Sequence, residues 1–471
     1  SMNNIVLKTD SYKLNHWNQY PKGTEYVYSY FESRGGAKWD TTVFFGLQYL
    51  LKSNLVGAVV TREKIEEAAR LCKAHFGGDS YFNRAGWEFI LNQCGGKLPI
   101  RIKAISEGTP VGVSNVMMTV ENTAPECFWL TNALESLLTH AWYPSTVATL
   151  SRETKKIFKA QLEKTADDLG GINFMLHDFG YRGASSDESA EIGGAAHLVN
   201  FLGTDTVPAI ELLAEYYTKN KSFDGIAYSV AATEHSIMTS RGRDGEEQVV
   251  SDLIDAYPGG ILSVVSDSYD IYNFVDTIVG KKFKERILGR NEGAKFVVRP
   301  DSVTDEHKTP ESEMVWILNS LWANFGGTIN SKGFKVLHPK VRSLWGDGID
   351  KDGIDKILVA AAEAGFSADN LVFGMGGGLL QKVHRDMQRF AFKSSAQCRN
   401  GEWHDIYKSP KDASKASKKG KLKLGQLADG SYVTVPMSDT SVECKLVTVY
   451  ENGELLVDYT LDDVRKNAAL K

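Results

Sequence analysis

Glycine, aspartate and arginine residues recur at the ends of successive apolar runs between residues 171 and 380. The segments that carry them are HDFGYRG at 177–183, GTDT at 203–206, SDSYD at 266–270, RPDS at 299–302, GDG at 346–348 and GMGGG at 374–378. Guanidinium groups bind phosphate oxygens through two parallel hydrogen bonds, and glycine leaves backbone amides open to an anion. Carboxylates accept from sugar hydroxyls or hold Mg²⁺. The pattern therefore indicates a site for a phosphorylated sugar together with a metal ion.

The apolar runs before these segments predict strands that are covered on both faces. The runs are INFML, LVNFL, ILSVV, KFVV, SLW and LVF. We count seven repeats of strand, polar loop and helix up to Arg385, and the spacing between strand ends suits βα units. Polar residues at the carboxyl ends of successive parallel strands are how a βα barrel builds its active site.

Both ends of the chain differ from this middle part. Residues 98–121 predict three short strands joined by glycine turns, and residues 430–460 are again β-rich. We therefore predict an α/β protein with an irregular, TIM-like βα barrel over 151–385. A flanking β-rich α+β domain would be built from 1–150 plus 386–471.

The composition of the 471 residues, 42% hydrophobic and 24% charged, is that of a soluble globular protein. A net charge of −5 argues against a general nucleic-acid binder. Five scattered cysteines indicate neither a disulfide framework nor a zinc site, and they favour the reducing cytosol. We find no signal-peptide pattern and no membrane-spanning run, so we expect a cytoplasmic protein without membrane partners. The basic, Ser/Lys/Gly-rich segment 408–423 predicts a mobile loop.

Taken in order, the polar segments closely resemble the type II phosphoribosyltransferases of the nicotinate/nicotinamide phosphoribosyltransferase family. The resemblance runs from TDSYK at 9–13 to RKNA at 465–468, and it includes HLVNFLGTDTV at 197–207 and SVVSDSYDIYN at 263–273. It implies transfer of ribose 5-phosphate from phosphoribosyl pyrophosphate to nicotinamide, with release of pyrophosphate. It also implies Mg²⁺, ATP as a hydrolysed co-substrate, and a homodimer with composite active sites.

The flat, neutral base of such a reaction needs a slot and a group that recognises its amide. Phe179 and Tyr12 suit the two faces of a pyridine ring, where offset stacking contributes roughly 0.5–1.5 kcal/mol. The resemblance implies that Tyr12 comes from the partner subunit. Asp205 would accept from the nicotinamide NH₂ and repel nicotinate, while Ser263 would donate to the amide oxygen. Arg299 completes the predicted base contacts, and core packing stays the alternative for Phe179.

A second group of residues would hold the diphosphate and the ribose. Its predicted members are Arg182, His235, Arg299, Asp301, Gly346, Asp347, Gly377, Gly378 and Arg385. The resemblance implies that Asp301 and Asp347 lie by the ribose. Asp267 would lie nearer the metal, which it would reach directly or through water. From the residues alone, helix capping is favoured for Asp267 and Asp350, and a plain tight turn stays possible for the glycines.

His235, in the segment EHS at 234–236, is the candidate for phosphate transfer. The resemblance implies that ATP phosphorylates this imidazole, whose neutral ring nitrogen is a competent nucleophile. A histidine that only hydrogen-bonds phosphate or Glu234 stays the alternative. Lys393 is a candidate for contact with ATP, and we interpret His177 and His197 as structural. The predicted catalytic group is His235, Asp267, Arg299 and Asp301.

Three other functions stay open. A nicotinate- or quinolinate-using relative would carry out the same transfer, but Asp205 would repel an acidic base. A barrel lyase or isomerase acting on a sugar phosphate would need a suitably placed base, and no strand end shows an obvious lysine. A non-catalytic scaffold would have no use for polar groups at buried strand ends, which cost stability when no ligand satisfies them.

Overall fold

Two large sheets organise the chain, one antiparallel and one parallel. The computed structural model describes residues 3–413 and 417–471. Its strands are, in chain order, β1 Thr24–Ser33, β2 Thr41–Val43, β3 Ile100–Ala104, β4 Pro110–Gly112, β5 Asn115–Asn122, β6 Leu176–Asp178, β7 Gly203–Thr204, β8 Ala231–Ala232, β9 Ile261–Val265, β10 Lys295–Arg299, β11 Gly327–Ile329, β12 Lys335–Leu337, β13 Val341–Trp345, β14 Leu371–Met375, β15 Phe390–Arg399, β16 Glu402–Asp405, β17 Leu422–Gln426, β18 Tyr432–Pro436, β19 Val447–Glu451 and β20 Glu454–Leu455.

Helices connect and cover these strands. The α-helices are α1 Leu47–Asn54, α2 Arg62–Phe76, α3 Arg84–Gln93, α4 Leu130–Ala133, α5 Glu135–Thr139, α6 Trp142–Thr165, α7 Asp187–His197, α8 Val207–Tyr216, α9 His235–Met238, α10 Glu246–Ala256, α11 Lys284–Leu288, α12 Pro310–Phe325, α13 Lys351–Glu363, α14 Gly377–Leu380 and α15 Leu461–Ala468. A π-helix covers Asn273–Lys282, and 3₁₀ helices include Ser11–Asn18 and Tyr181–Gly183. Across the described ranges, no helix is both long and apolar enough to cross a membrane.

The antiparallel sheet is built from both ends of the chain. Its strand order is β16-β15-β1-β5-β3-β19-β20, so three strands from the first part of the sequence form the centre and two strands from the last part flank them on each side. The long central strand β1 pairs with β15 on one side, with Phe31 opposite Phe392, and with β5 on the other. The left-handed residues Asn452 and Gly453 (φ 49° and 89°) turn β19 back into β20. The strands predicted for 98–121 are therefore confirmed as β3, β4 and β5.

The parallel sheet comes from the middle of the chain, in the order β7-β6-β14-β13-β10-β9-β8. Its core strands are nearly continuous apolar runs, and Phe296, Trp345 and Phe373 are fully buried within them. This burial on both faces is what a parallel sheet covered by helices requires. One further contact relates its outer strands: Tyr228, just before β8, bridges Gly203 of β7 in the parallel sense.

Two of the apolar runs are not the strands that the sequence predicted. LVNFL follows helix α7 as a turn, and strand β7 covers only the two residues after it. INFML begins as a 3₁₀ helix over Ile172–Phe174, and β6 starts at Leu176. Leu198 and Phe201 are apolar because they pack in the core beside α6 and α7. A short apolar run does not distinguish a buried strand from a buried helix end.

Side-chain caps explain where several helices begin. Ser186 and Ser189 form a reciprocal capping box at the start of α7, which leads into the site described below. Asp350 accepts from the amide of Gly353 and caps α13, so the predicted capping role of Asp350 is confirmed. Asp267 caps no helix; Asp270 instead accepts from the amides that follow it.

The buried side chains form two hydrophobic clusters, one around each large sheet. The buried carboxylate of Glu107 joins them, because it accepts from the amides of Gly46 and Gln48 at 2.8 Å and from the hydroxyl of Tyr217 at 2.7 Å. Burial raises the pKa of Glu107, and these donors oppose the shift. The domain limits given above stay a prediction. Of the predicted basic loop, residues 414–416 lie outside the described residues.

Candidate active site

The carboxyl ends of the parallel strands lie at one edge of the sheet, and backbone hydrogen bonds join the loops that leave them. The amide of Phe179 donates to Met375 at 2.9 Å, and the amide of Asp205 donates to Asp178 at 2.9 Å. The amide of Ser266 donates to Arg299, also at 2.9 Å. Loops that are far apart in the sequence are thereby held side by side, as a site assembled from several strand ends requires.

Asp205 is held by two donors. His177 Nε2 lies 2.7 Å and Ser229 Oγ 2.5 Å from Asp205 Oδ1. Burial alone would raise the pKa of Asp205, but the hydrogen bonds from His177 and Ser229 outweigh it, and the pKa lies below its ordinary value. Asp205 is therefore a fixed, negatively charged acceptor at neutral pH.

Two buried polar atoms on the neighbouring strands β9 and β10 have no hydrogen-bond partner among the described residues: Ser263 Oγ and Arg299 Nε. A backbone carbonyl holds the Arg299 side chain in place, since its Nη2 donates to the carbonyl of Thr233 at 2.5 Å. Burial lowers the pKa of Arg299, and nearby carboxylates, Asp301 and Asp205 first among them, oppose the shift. Buried polar atoms without partners cost free energy, so both atoms indicate a ligand that would satisfy them.

Phe179 lies across strand ends that carry no side chain. A Cβ added at Gly374 would stand 2.0 Å from the phenyl ring, and one at Gly346 would stand 2.8 Å from it. The ring of His177 meets it edge to face, with 5.4 Å between centroids. Phe179 is only partly buried, unlike a phenylalanine that is fully enclosed in the core. Gly346 makes room for this ring, a role that the sequence did not suggest.

Asp267, Asp301 and His235 form an acidic centre with one histidine. Asp267 is almost fully buried; its Oδ2 accepts from the amide of Asp301 and from Ser302 Oγ, both at 2.8 Å. Its Oδ1 has no hydrogen-bond partner within the described ranges. His235 Nε2 lies 3.2 Å from Asp301 Oδ2 and 3.7 Å from Asp267 Oδ1, and His235 Nδ1 lies 3.1 Å from Ser268 Oγ.

Asp347 belongs to the same centre. Burial raises its pKa, and the charges of Asp301 and Asp267 raise it further. Within residues 3–413 and 417–471, no three His, Cys, Asp or Glu side chains are grouped so as to hold a metal by themselves. The partnerless Oδ1 of Asp267 nevertheless fits a Mg²⁺ ion that takes most of its ligands from water and from substrate phosphates.

The predicted phosphate residues form a more open region. The loop of Arg182 packs against the turn at Gly376, Gly377 and Gly378, called the glycine turn below. A Cβ on Gly183 would lie 3.4 Å from Gly377. A Cβ on Gly377 itself would meet nothing within 4 Å. Gly377 and Gly378 begin α14, and the first amides of a helix have no acceptor inside it. Arg182 and Arg385 are exposed, and no side-chain contact holds either guanidinium among the described residues.

Two predicted residues lie apart from the strand ends. Tyr12 is 59% exposed on the Ser11–Asn18 helix, where it contacts His16 and Lys13 of its own chain. Lys393 lies on β15 of the antiparallel sheet. Burial lowers its pKa, and the cations Lys408 and Arg34 lower it further. One chain therefore does not bring Tyr12 or Lys393 to Phe179.

Sequence reasoning missed His177, which we interpreted as structural and which contacts Asp205. The available signal was the spacing in HDFGYRG, because residues two apart on a strand share a face and His177 therefore accompanies Phe179. It also missed Asp178, whose Oδ1 accepts from the amide of Gly180 at 2.7 Å and whose pKa burial raises to about 6. His197 is structural, since it lies in the core and bonds Ser151 Oγ.

Two family models and several curated relatives match this chain. A model described as the nicotinate phosphoribosyltransferase (NAPRTase) family matches residues 174–454, and one described as the nicotinamide phosphoribosyltransferase N-terminal domain matches residues 4–102. The nicotinamide phosphoribosyltransferase of Xanthomonas campestris pv. campestris is 45% identical over 99% of this chain and 98% of its own. That of Acinetobacter baylyi is 33% identical over 99% of this chain and 97% of its own.

Solved structures share the fold at low sequence identity. Nicotinate-nucleotide pyrophosphorylase from Pyrococcus furiosus has a TM-score of 0.61 at 15% identity, with 99% of this chain and 95% of that chain covered. Human nicotinic acid phosphoribosyltransferase has a TM-score of 0.55 at 16% identity, with 98% and 92% covered.

Proposed function

The chain belongs to the nicotinate phosphoribosyltransferase family and is a pentosyltransferase, and we propose that its base substrate is nicotinamide. The reaction joins nicotinamide to phosphoribosyl pyrophosphate and gives nicotinamide mononucleotide and pyrophosphate, a step of NAD biosynthesis. The observation that carries the choice of base is Asp205, a charged acceptor held by His177 and Ser229 at the carboxyl ends of the parallel strands. The buried hydroxyl of Ser263 on β9, which has no partner among the described residues, is the donor that we assign to the same base.

An acceptor together with a donor matches a carboxamide. The free oxygen of Asp205 accepts from the NH₂ of nicotinamide, and Ser263 Oγ donates to its carbonyl oxygen. Nicotinate would bring a second carboxylate against Asp205, and two like charges at contact distance repel strongly in a partly buried site. The ring of Phe179 stacks on the pyridine ring, and it favours the pyridinium that forms in the product.

Arg299 and the acidic centre carry the sugar chemistry. As pyrophosphate leaves, positive charge develops on the ribose, as in glycoside cleavage. Asp301 and Asp347 bind the ribose hydroxyls and stabilise that charge. Arg299 and Arg182 bind the departing diphosphate, while Arg385 and the amides of the glycine turn hold the 5′-phosphate. Asp267 would hold Mg²⁺, directly or through water, and the ion would supply positive charge to the leaving group.

We propose that ATP is a co-substrate that phosphorylates His235. Nε2 faces Asp301 and Asp267, so its proton is donated towards carboxylates and the lone pair remains on Nδ1, where it accepts from the hydroxyl of Ser268. The Ser268 hydroxyl must turn away before Nδ1 can react. Nδ1 attacks the γ-phosphorus of ATP, the bond to ADP breaks, and water later releases the phosphate. The exposure of the ring, 47% of its side chain, supports access to a nucleotide.

We propose a homodimer with composite sites and an irregular βα barrel for the parallel sheet. The exposure of Tyr12 supports the first, because the ring is free to cover the ring of Phe179 in a partner subunit. Lys393 would reach ATP from the same surface. The bridge between Tyr228 and Gly203 supports the second. All five cysteines are free, which supports a cytoplasmic location.

Product analysis tests the proposed function. The purified protein is given phosphoribosyl pyrophosphate and Mg²⁺ with nicotinamide, nicotinate or quinolinate, with and without ATP, and the mononucleotides are separated by chromatography. We expect nicotinamide mononucleotide at a kcat/KM at least about 100-fold above that for either acid. Equal or greater use of nicotinate would overturn the assignment of the base.

The role of His235 is tested in the same assay. We expect His235→Ala to slow synthesis and to abolish the stimulation by ATP, so that the rates with and without ATP become equal. Persistence of the full ATP effect in this variant would exclude the phosphorylated imidazole.

A further inference from the structure

The two oxygens of Asp205 have different surroundings. Oδ1 receives hydrogen bonds from both His177 Nε2 and Ser229 Oγ, at 2.7 Å and 2.5 Å. Oδ2 has no hydrogen-bond partner among the described residues. The last torsion of an aspartate is broad and roughly two-fold, so a carboxylate held through neither oxygen presents its lone pairs in many directions. Two donors on one oxygen remove that freedom and fix where the other oxygen points.

The imidazole is itself fixed on the side away from Asp205. A Cβ added at Gly203 would stand 2.6 Å from His177 Nδ1, so the ring fills the space that a side chain would take. Phe179 meets the ring from a second direction. With the carboxylate charged, the hydrogen of the neutral imidazole must lie on Nε2, because Asp205 accepts and does not donate. The contact with Gly203 on β7 therefore fixes the direction of the His177 N–H, and the charge of Asp205 fixes that N–H on Nε2.

We propose that His177 is a positioning residue for base selection, which orients Asp205 so that Oδ2 meets the carboxamide nitrogen of the base. The inference rests on the proposed function and extends it to a residue that does not react. Ser229 supplies the second donor at the same oxygen. Selection of nicotinamide over nicotinate then depends on the direction of the Asp205 carboxylate as well as on its charge.

Two substitutions at one position separate the donor from the ring. His177→Gln keeps an N–H at a similar reach, and His177→Leu keeps apolar bulk without a donor. In His177→Leu we expect the KM for nicotinamide to rise about 10-fold, since a hydrogen bond that orients a charged group is lost. We expect kcat at saturating nicotinamide and the KM for phosphoribosyl pyrophosphate to change less than about threefold. His177→Gln should recover most of the lost affinity.

Base preference gives a second readout. The ratio of kcat/KM for nicotinamide to that for nicotinate should fall about 10-fold in His177→Leu and stay near the wild-type ratio in His177→Gln. Equal behaviour of the two variants would overturn the inference. So would a parallel rise in the KM of both substrates that follows a fall in thermal stability, because that pattern describes a residue needed only for folding.

Two more variants keep the test decisive if His177→Leu does not fold. Ser229→Ala removes the other donor from a partly exposed position, and Gly203→Ala adds a methyl group that must displace the imidazole. Both should raise the KM for nicotinamide selectively, and unchanged values in both would overturn the inference. A wild-type protein that makes no nicotinamide mononucleotide would refute the proposed function. If the wild-type protein makes nicotinamide mononucleotide and the variants keep the wild-type KM for nicotinamide, only the role of His177 is refuted.

Discussion

The base end and the phosphate end of the candidate site are built in different ways. At the base end, His177, Asp205 and Arg299 are held by hydrogen bonds to their neighbours. At the phosphate end, Arg182 and Arg385 are exposed to solvent, and the loop of Arg182 packs against Gly377.

The difference follows from the two kinds of ligand. A flat, neutral base offers only its shape and the two polar atoms of its amide besides the ring nitrogen that reacts, so its recognition requires groups that are fixed before it arrives. A phosphate offers two negative charges, which attract mobile cations over several ångströms. Arg299 belongs to both ends, because its charge interacts with Asp205 as well as with Asp301 and Asp267.

The largest effect is expected from removing the residue that both ends share. Arg299→Met should lower kcat/KM by about 10³-fold, because a fixed cation that faces developing charge is lost from a partly buried site. Arg290→Met is the matched control. Arg290 is a buried arginine that donates to the carbonyls of Tyr257 and Lys295, at the other end of β10. Arg290→Met should lower the thermal stability and leave kcat unchanged. A purely KM-based defect in Arg299→Met would show that the two ends work independently.

The base end alone is tested at Asp205. Asp205→Ser should weaken use of nicotinamide and relax the exclusion of nicotinate, which changes the ratio of their kcat/KM values by about 100-fold. The affinity for phosphoribosyl pyrophosphate should stay near that of the unmodified protein. Competition assays with both bases measure the ratio directly, and an unchanged preference would remove Asp205 from base selection.

The phosphate end should respond more weakly and with a different signature. Arg182→Ala and Arg385→Ala should each raise the KM for phosphoribosyl pyrophosphate about 10-fold, with little change in base preference. Because exposed charges are screened, the defect should shrink as salt rises from about 0.05 M to 0.5 M. Rates measured across that range test this prediction. A rise in KM that does not depend on salt would mean that these arginines are held as firmly as Arg299.

The smallest effect concerns stability beneath the base end. Burial raises the pKa of Asp178 from 3.8 to about 6 in the folded chain. The folded state therefore binds a proton that the unfolded state has released, and stability falls as pH rises from about 4 through 6. Two pKa units correspond to about 3 kcal/mol. Asp178→Asn should melt a few degrees above the unmodified protein at pH 8, with the gap closing by pH 4. A difference in melting temperature that stays constant with pH would contradict the claim that Asp178 is a buried carboxylate that becomes charged as the pH rises.

The general architecture was readable from the sequence because its signals are local. Continuous apolar runs before polar segments indicated the strands of the parallel sheet, and Asp350 stood where a helix cap belongs. LVNFL misled because buried helix ends and buried strands carry the same residues.

The arrangement of the site was less predictable because its contacts join distant residues. The carboxylate at 205, the imidazole at 177 and the hydroxyl at 229 meet only once three strand ends are side by side. No spacing rule reports such a meeting. Gly346 illustrates the same limit, since its lack of a side chain matters only to a ring that arrives from residue 179.

In the antiparallel sheet, early strands pair with strands from the end of the chain, and this pairing has a consequence for synthesis on the ribosome. Strand β1 has one edge that is filled only when β15 emerges, and the outer edge of β3 waits for β19. The nascent chain must therefore carry an unfinished sheet with open hydrogen-bonding edges while the whole middle of the protein is translated. Open edges invite pairing with other chains, so slow translation or truncation late in the chain should favour aggregation.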